Sequence, residues 1–322
     1  MNLCSRAARD AQPRGRITAQ ELRARAYEHL SGFKKKMKAL PVYCLYNIES
    51  HCQVKMYDVA LTCVIHDALN ESSNHIRRYF PIISNIYNNM YAVVSSETHE
   101  DVISALQDQG IQVHNQKGPR AGLIGVGDAR RQALQVSIED DNKHTHLVEV
   151  DRLLQWVSSY PDELRKVVRR IPEYDFLVIG RTPRAFNSHT RCQVETESLA
   201  NKVISLLVGQ ELDYLVSCRG ISKRAGEVII DKSIAKNVGT DSEWPIIIKC
   251  CTDFPIDYVQ VEGLEFELAF RYPERVREAG GLEAMKTKRD TNPESWLHRI
   301  RAAEQICSTA ISTYQAFNKL QV

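Results

Sequence analysis

The sequence predicts an α/β protein, a central sheet covered by helices, on three observations. From Asp58 to about Glu267, short β-branched runs alternate with stretches of helical apolar spacing. The first run, "VALTCVIHD" (Val59 to Asp67), is almost wholly apolar and stops on polar residues, as a strand buried on both faces does. With 43% apolar and 25% charged residues, the 322-residue chain has the composition of a folded protein that can bury a large core.

The elements follow in order. "NHIRRYFPIISNIY" places Ile76, Tyr79, Phe80, Ile83 and Tyr87 at three- and four-residue steps, a helix that Pro81 should kink or start late. "YAVVSSET" reads as a second strand. "HEDVISALQDQG" is a helix that Gly110 closes, and "IQVHN" a third strand. A Gly-rich loop, "KGPRAGLIGVGDARRQALQVSIED", passes into a helix over Ala129 to Ile138, and a fourth strand follows at Thr145 to Val150. One long helix is expected over Leu153 to Arg170, and "YDFLVIGRT" is a fifth strand. Helices near Glu195 to Leu207 and Ser222 to Ser233 flank "ELDYLVSCRG". The sheet is expected to finish with "WPIIIKCC" and "IDYVQVEGLEFE". After "TNPE", Trp296, Ile300, Ala303, Cys307, Ala310 or Ile311, and Tyr314 form the stripe of a helix packed on the body, with Pro293 at its first position.

Charge bounds the partners. With 42 basic and 40 acidic residues the net charge is +2, which gives no reason to expect nucleic acid. Residues 1–40 are the local exception, with ten Lys/Arg against three acids, and read as a solvated, basic helical arm. The nine cysteines show no paired spacing of a metal site or disulfide framework, and no apolar run approaches a membrane span or a signal sequence. The expectation is a reduced, cytoplasmic protein with an arm at 1–40, a main domain at 41–275 and a helical C-terminal segment at 276–322.

Ligands of open α/β sheets bind outside the carboxyl ends of the strands, so the residues there are read first. Asp67, Ser96, Glu97, Glu149, Asp151 and Arg181 all fall at such ends. Glu149 and Asp151, two apart at the end of a strand, share a face and can hold one hard divalent cation, Mg²⁺ or Mn²⁺, with positions left for phosphate oxygens. The competing reading makes them helix caps. "GLIGVGDAR" has neither GxGxxG order nor a GK[ST] ending, which removes the nicotinamide and ATP fingerprints; it remains a glycine-lined approach, through Gly127, to a helix carrying Arg130 and Arg131.

Taken in order, these pieces resemble the nucleotide-diphospho-sugar glycosyltransferases of the GT-A fold, family 2 in particular. "DARRQAL" followed by a strand ending "EVD" is similar to that family's "G…AR…AL" helix and acidic D-x-D triplet; "YDFLVIGRT" is similar to its "YDVVIGSR" strand. "LANKVISLLVGQELDYLVSCRGISKRAGEVI" and "GTDSEWPIII" stand where it carries a helix, a "D…G" segment, an "R…A" helix and an acidic motif. The likeness spans about Val59 to Glu267, and the triplet departs from the family in being Glu-Val-Asp. It implies a GT-A, Rossmann-like mixed sheet flanked by helices, and a metal-dependent enzyme without a membrane span that moves a sugar from a UDP- or GDP-sugar to an acceptor hydroxyl.

What the resemblance implies for residues is specific. Glu149 and Asp151 would hold Mn²⁺ or Mg²⁺. Asp67, Ser96, Glu97, Gly127, Arg130 and Arg181 would bind the donor nucleotide, and Asp213, Arg219 and Trp244 would lie on the acceptor side. Asp241 or Glu243 would be the general base of an inverting reaction, with Asp241 favoured because Glu243 adjoins Trp244 and Pro245. Trp156 is a sugar-stacking candidate against a core reading; His144, His146 and His189 are extra metal-ligand candidates against surface histidines. Two other classes stay open: a sugar-phosphate nucleotidyltransferase, whose Gly-rich, Lys-bearing signature "IHDALNESS" lacks, and a non-catalytic interaction protein on the same fold.

Overall fold

The computed structural model describes residues 57–118 and 123–318 of the chain. The expected basic arm, and Gly122 of the Gly-rich loop, lie outside the described residues. Seven strands form one sheet in the order β3-β2-β1-β4-β6-β5-β7: β1 (Ala60–Ile65), β2 (Met90–Val94), β3 (Gln112–Asn115), β4 (His144–Glu149), β5 (Phe176–Arg181), β6 (Arg219–Ser222) and β7 (Ile256–Val261). All pairings are parallel except those of β6, which runs against β4 and β5. The sheet is therefore mixed, and every strand but β6 points its carboxyl end the same way.

Both faces of the sheet are covered, and strand alternation sorts side chains between them. Leu61, Cys63 and Ile65 of β1, with Leu177 and Ile179 of β5, enter one core. It is shared with α1 (Ser73–Ile83), α2 (Glu100–Asp108), α4 (Val150–Ser159) and α5 (Pro161–Arg170). Val64, Phe176 and Val178 enter the other core. That one is shared with α3 (Val126–Glu139), α7 (Arg191–Val208), α8 (Lys223–Lys232), α9 (Thr240–Cys251) and α13 (Pro293–Asn318). The short helices α6 (Pro183–Asn187), α10 (Leu268–Arg271), α11 (Pro273–Glu278) and α12 (Leu282–Asp290) connect these parts.

The order of the strands selects one place. From β1 the chain steps outward through β2 to β3, then returns to lay β4 on the other side of β1. Neighbouring connections thus leave in opposite directions at the carboxyl ends of β1 and β4, which opens a crevice where open α/β sheets bind ligands. Val64 pairs with Glu149 at that end.

Four expectations are corrected. The helix over Leu153 to Arg170 is two helices, broken at Tyr160 (φ −136°, ψ 56°) because a residue before proline is driven out of the helical region and Pro161 starts α5. "WPIIIKCC" is no strand: Thr240 to Ile248 are all buried within α9, an apolar run buried on every side rather than a sheet edge. Pro81 neither delays nor ends α1, which begins at Ser73 and carries proline in its last turn. The stripe of α13 is shifted in part: Ala303, Cys307, Ala310 and Tyr314 pack on the core as expected, Ile306 and Thr313 are buried beside them, and Ile300 and Ile311 face outward.

One buried ion network ties β5 to α7. Arg181 Nε and Nη2 donate to Asp213 Oδ2 and Oδ1 at 2.8 and 2.9 Å, and its backbone N–H donates to Oδ2 at 3.1 Å. Its Nη2 also reaches Glu197 at 2.6 Å, and Asn201 donates to Asp213 at 3.0 Å. Burial pushes the Asp213 carboxyl up, but Arg181 and these N–H groups outweigh it and hold the carboxyl at about 2. A carboxylate depressed below its unfolded value contributes its full stabilisation above that value, about 3.9. The contribution shrinks as pH falls towards 2 and is gone below it. Urea denaturation is therefore expected to show Asp213→Asn losing about 2 kcal/mol or more relative to the parent at pH 7. Below pH 2.5 the difference is expected to have largely closed; one that is unchanged across that range would contradict the pairing.

Candidate functional site

Two chambers open at the β1/β4 crevice and share Leu123, Glu149 and His298. The outer one, about 500 Å³, lies against the ends of β1 and β4. The inner one, about 250 Å³, lies between α3, α7, α9 and α13.

Glu149 ends β4 and occupies the cap position of α4, and Asp151 stands in the first turn of that helix. The pair is thus set at a strand-to-helix junction rather than on one strand face; Glu149 takes the cap position without a side-chain cap bond, and Asp151 lies inside the helix rather than capping it. Glu149 Oε1 accepts from Arg130 Nη2 at 2.7 Å, and Oε2 from Arg152 Nε at 3.4 Å. Asp151 Oδ2 accepts from Arg271 Nη1 at 2.6 Å, and Oδ1 from the Arg152 N–H at 2.8 Å. Burial pushes the Asp151 carboxyl up; Arg271 opposes this, and the Glu149 and Glu267 carboxylates add to it.

The outer chamber is short of positive charge. Asp67, Glu71, Glu149 and Asp151 line it against a single guanidinium, Arg271, among the described residues. Burial holds the lining His75 and His298 below their ordinary values, so neither supplies a lasting charge. Asp67 folds the β1–α1 loop onto itself: Oδ1 accepts from the Glu71 N–H at 3.0 Å, and Oδ2 from the Ser72 N–H and hydroxyl at 2.8 and 2.5 Å. Those donors and Arg271 keep its carboxyl below the usual value despite burial. Ser96 and Glu97 lie exposed in the turn after β2, with Glu97 3.8 Å from His66, a lining residue.

The inner chamber alternates its charges. Arg130, Arg152 and Arg299 face Glu149, Glu197, Asp241 and Glu267. Arg130 bridges Glu149 to the start of α9, with Nη1 3.0 Å from the Thr240 hydroxyl and 3.3 Å from Asp241 Oδ1. Ser217 also donates to that oxygen, at 2.5 Å. Glu243 stands two residues on, roughly 200° round the helix, and turns away. It accepts from the Ile234 and Ala235 N–H groups at 2.8 and 2.9 Å and from the Ser233 hydroxyl. Asp241 therefore lines the chamber, whereas Glu243 pins the α8–α9 loop.

Several sequence candidates lie elsewhere. Gly127 does not face the chambers: a Cβ there would come within 2.4 Å of the Ala235 carbonyl, so the glycine lets α3 approach the 235–237 segment. Arg181 and Asp213 are consumed by the network above and line a separate groove beside β7. Arg219 spends its guanidinium on the Cys218 and Tyr214 carbonyls. Trp244 is core, its indole N–H donating to Ser233 at 3.0 Å; Trp156 is core as well, bonded to Glu163 at 2.9 Å. His144 begins β4, at the opposite end of the sheet. His146 is buried between Tyr87 and Cys218, at 2.7 and 3.2 Å, and burial lowers it to about 3.

His189 is also buried rather than on the surface. Its Nδ1 meets the Ala185 carbonyl at 3.0 Å, which places the proton on Nδ1 and leaves Nε2 a lone pair 4.0 Å from Glu267 Oε2. Among the described residues neither Nε2 nor Oε2 has a hydrogen-bond partner. Arg152, Glu197, Glu267, Arg271, His298 and Arg299 were not singled out from the sequence, because they stand on helices and connections with no motif; only the charges in "GLEFELAFR" hinted at Glu267 and Arg271.

Among the described residues no three His, Cys, Asp or Glu side chains form a metal cage. The oxygens of Glu149 and Asp151 are of the hard type that Mg²⁺ and Mn²⁺ take and both residues line the outer chamber, but each of the four accepts from an arginine, which an ion there would have to displace. No described helix is long and apolar enough to cross a membrane.

No family model and no curated protein sequence matches the chain. Among solved structures it is similar to glucosyl-3-phosphoglycerate synthase from Mycobacterium tuberculosis, at 12% identity and a TM-score of 0.48, covering 83% of this chain and 84% of that one. It is similar to that enzyme's complex with Mn²⁺, UDP-glucose and phosphoglyceric acid, at 12% identity and a TM-score of 0.49 over 80% of each chain. A mycobacterial protein matches at 13% identity and a TM-score of 0.45, over 66% of this chain and 68% of its own.

Proposed function

We propose that the chain is a divalent-cation-dependent glycosyltransferase that moves a sugar from a UDP- or GDP-sugar to an acceptor hydroxyl. One observation carries the reading: at the reversal point of the sheet, Glu149 and Asp151 stand two residues apart at the end of β4 and both line a chamber of nucleotide size. Three of the carboxylates that line it are already paired with Arg130, Arg152, Arg271 and Arg275, so an entering diphosphate meets no uncommitted guanidinium among the described residues. Mg²⁺ or Mn²⁺ held by Glu149 and Asp151 would supply the missing charge and stabilise the departing diphosphate.

The chain's own residues take the remaining roles. Asp67 and the β1–α1 loop, with Ser96 and Glu97 beyond, would border the nucleoside. The inner chamber's alternating carboxylates and guanidiniums suit the paired hydroxyls of a sugar. Asp241, open to that chamber and oriented by Arg130 and Ser217, would take the acceptor hydroxyl's proton if the reaction inverts the anomeric carbon. If configuration is retained, Asp241 orients the acceptor without taking its proton. The motif order from "DARRQAL" to "GTDSEW" supports the same class.

Release of nucleoside diphosphate from a panel of UDP- and GDP-sugars, with Mn²⁺ and with chelator, tests the proposal. Asp151→Asn is expected to lose at least about 10²-fold in turnover, and chelator to silence the parent. Turnover that survives both would exclude the cation role.

The two acids of α9 are expected to separate by phenotype. Asp241→Asn should lower kcat by about 10²–10⁴-fold at nearly unchanged donor binding. Glu243→Gln, which disturbs three buried bonds, should instead cost about 1–3 kcal/mol in urea denaturation. A kcat loss confined to Glu243→Gln would reverse the assignment.

A further inference from the structure

We infer that Arg271 stands in for the cation at Asp151 and is handed over to the donor's diphosphate when nucleotide and ion arrive together. The inference rests on the metal reading of Glu149 and Asp151. Arg271 Nη1 sits 2.6 Å from Asp151 Oδ2, and Nη2 lies 3.6 Å from Glu71 Oε2. With Oδ1 taken by the Arg152 N–H, both oxygens of Asp151 already have donors. An ion approaching Oδ2 competes with a guanidinium for the same lone pairs.

The competition has a direction. Divalent ion and guanidinium side by side repel, so the ion alone must strip Arg271 from Asp151 and leave it only the longer contact to Glu71, whose carboxylate Arg275 already holds at 2.8 Å. A diphosphate changes that balance, because its oxygens accept a guanidinium fork as well as a carboxylate does. Arg271 is placed to make the exchange. It is a quarter exposed, lines the outer chamber and ends α10, a helix of one turn. Its guanidinium lies over the Tyr272 ring, 5.0 Å from the centroid, a flat surface along which it can shift. Ion and nucleotide then bind cooperatively, and the ion alone binds weakly. Arg275 supplies an internal comparison: it pairs with Glu71 at 2.8 Å and, among the described residues, makes no ion pair with Asp151.

Titration of Mn²⁺ followed by electron paramagnetic resonance reads this directly, without turnover. In the absence of nucleotide, Arg271→Gln is expected to bind Mn²⁺ roughly tenfold more tightly than the parent, the scale of one charged hydrogen bond. Arg275→Gln should bind as the parent does. With UDP, and separately GDP, at saturation, the gain in Arg271→Gln should disappear and the donor KM should rise. Arg271→Lys, which keeps the charge but loses the fork, should keep Mn²⁺ affinity near the parent's. Equal Mn²⁺ affinity in the parent and Arg271→Gln overturns the inference alone. No Mn²⁺ binding to any variant, with or without nucleotide, overturns the metal reading and the inference with it.

Discussion

Carboxylates gathered at the reversal between β1 and β4 repel one another, and the rest of the site is arranged around that repulsion. Glu149 cannot leave, because it is fixed in register beside Val64 at the end of a buried strand. Asp151 cannot leave either, because it lies in the first turn of α4, whose Leu153, Leu154 and Trp156 are anchored in the core. The strain of like charges is offset by three arginines that line the two chambers: Arg130 from α3, Arg152 from α4 and Arg271 from α10 each reach one of the two acids. A small local rule, two acids across a strand-to-helix turn, thus recruits partners as far as 120 residues along the chain.

The molecule handles its other buried charges differently. Around Asp213 and Glu243 several donors converge, and such closed arrangements fix the frame: one ties β5 to α7, the other the α8–α9 loop. Around the inner chamber the accounts stay open. Among the described residues Arg130 Nε, Arg152 Nη1 and Glu267 Oε2 lack hydrogen-bond partners there, as does His189 Nε2 beside Glu267; in the Asp213 network only Arg181 Nη1 does. Native interiors leave few such atoms, and a concentration of them beside a cavity is what a ligand-binding site offers.

The frame was largely legible in the sequence, because buried strands such as Ala60–Ile65 and Phe176–Arg181 are continuous apolar runs between polar stops. Glu149 and Asp151 were legible because a strand end in an α/β sheet is a binding position whatever precedes it. "WPIIIKCC" misled, because a short apolar run fits a strand and a fully buried helix equally well, and only its setting among α7, α8 and α13 decides. Gly127 stands out in the sequence, and its close contact is with protein backbone at 235–237. Arg271 and Arg299 were invisible because nothing local marks a charge whose partner is supplied by tertiary folding. The same holds for Arg181, whose place at a strand end suggested a ligand until Asp213 and Glu197 accounted for it.

The central claim is that a divalent cation bridges the acids of the crevice and a diphosphate in the outer chamber. Crystals soaked with Mn²⁺ and a nucleoside diphosphate, with anomalous data collected at the manganese edge, test it most directly. The account predicts one anomalous peak within about 2–2.5 Å of a carboxylate oxygen of Asp151 or Glu149 and of a phosphate oxygen. A nucleotide seated in the outer chamber with no peak at those oxygens would contradict it.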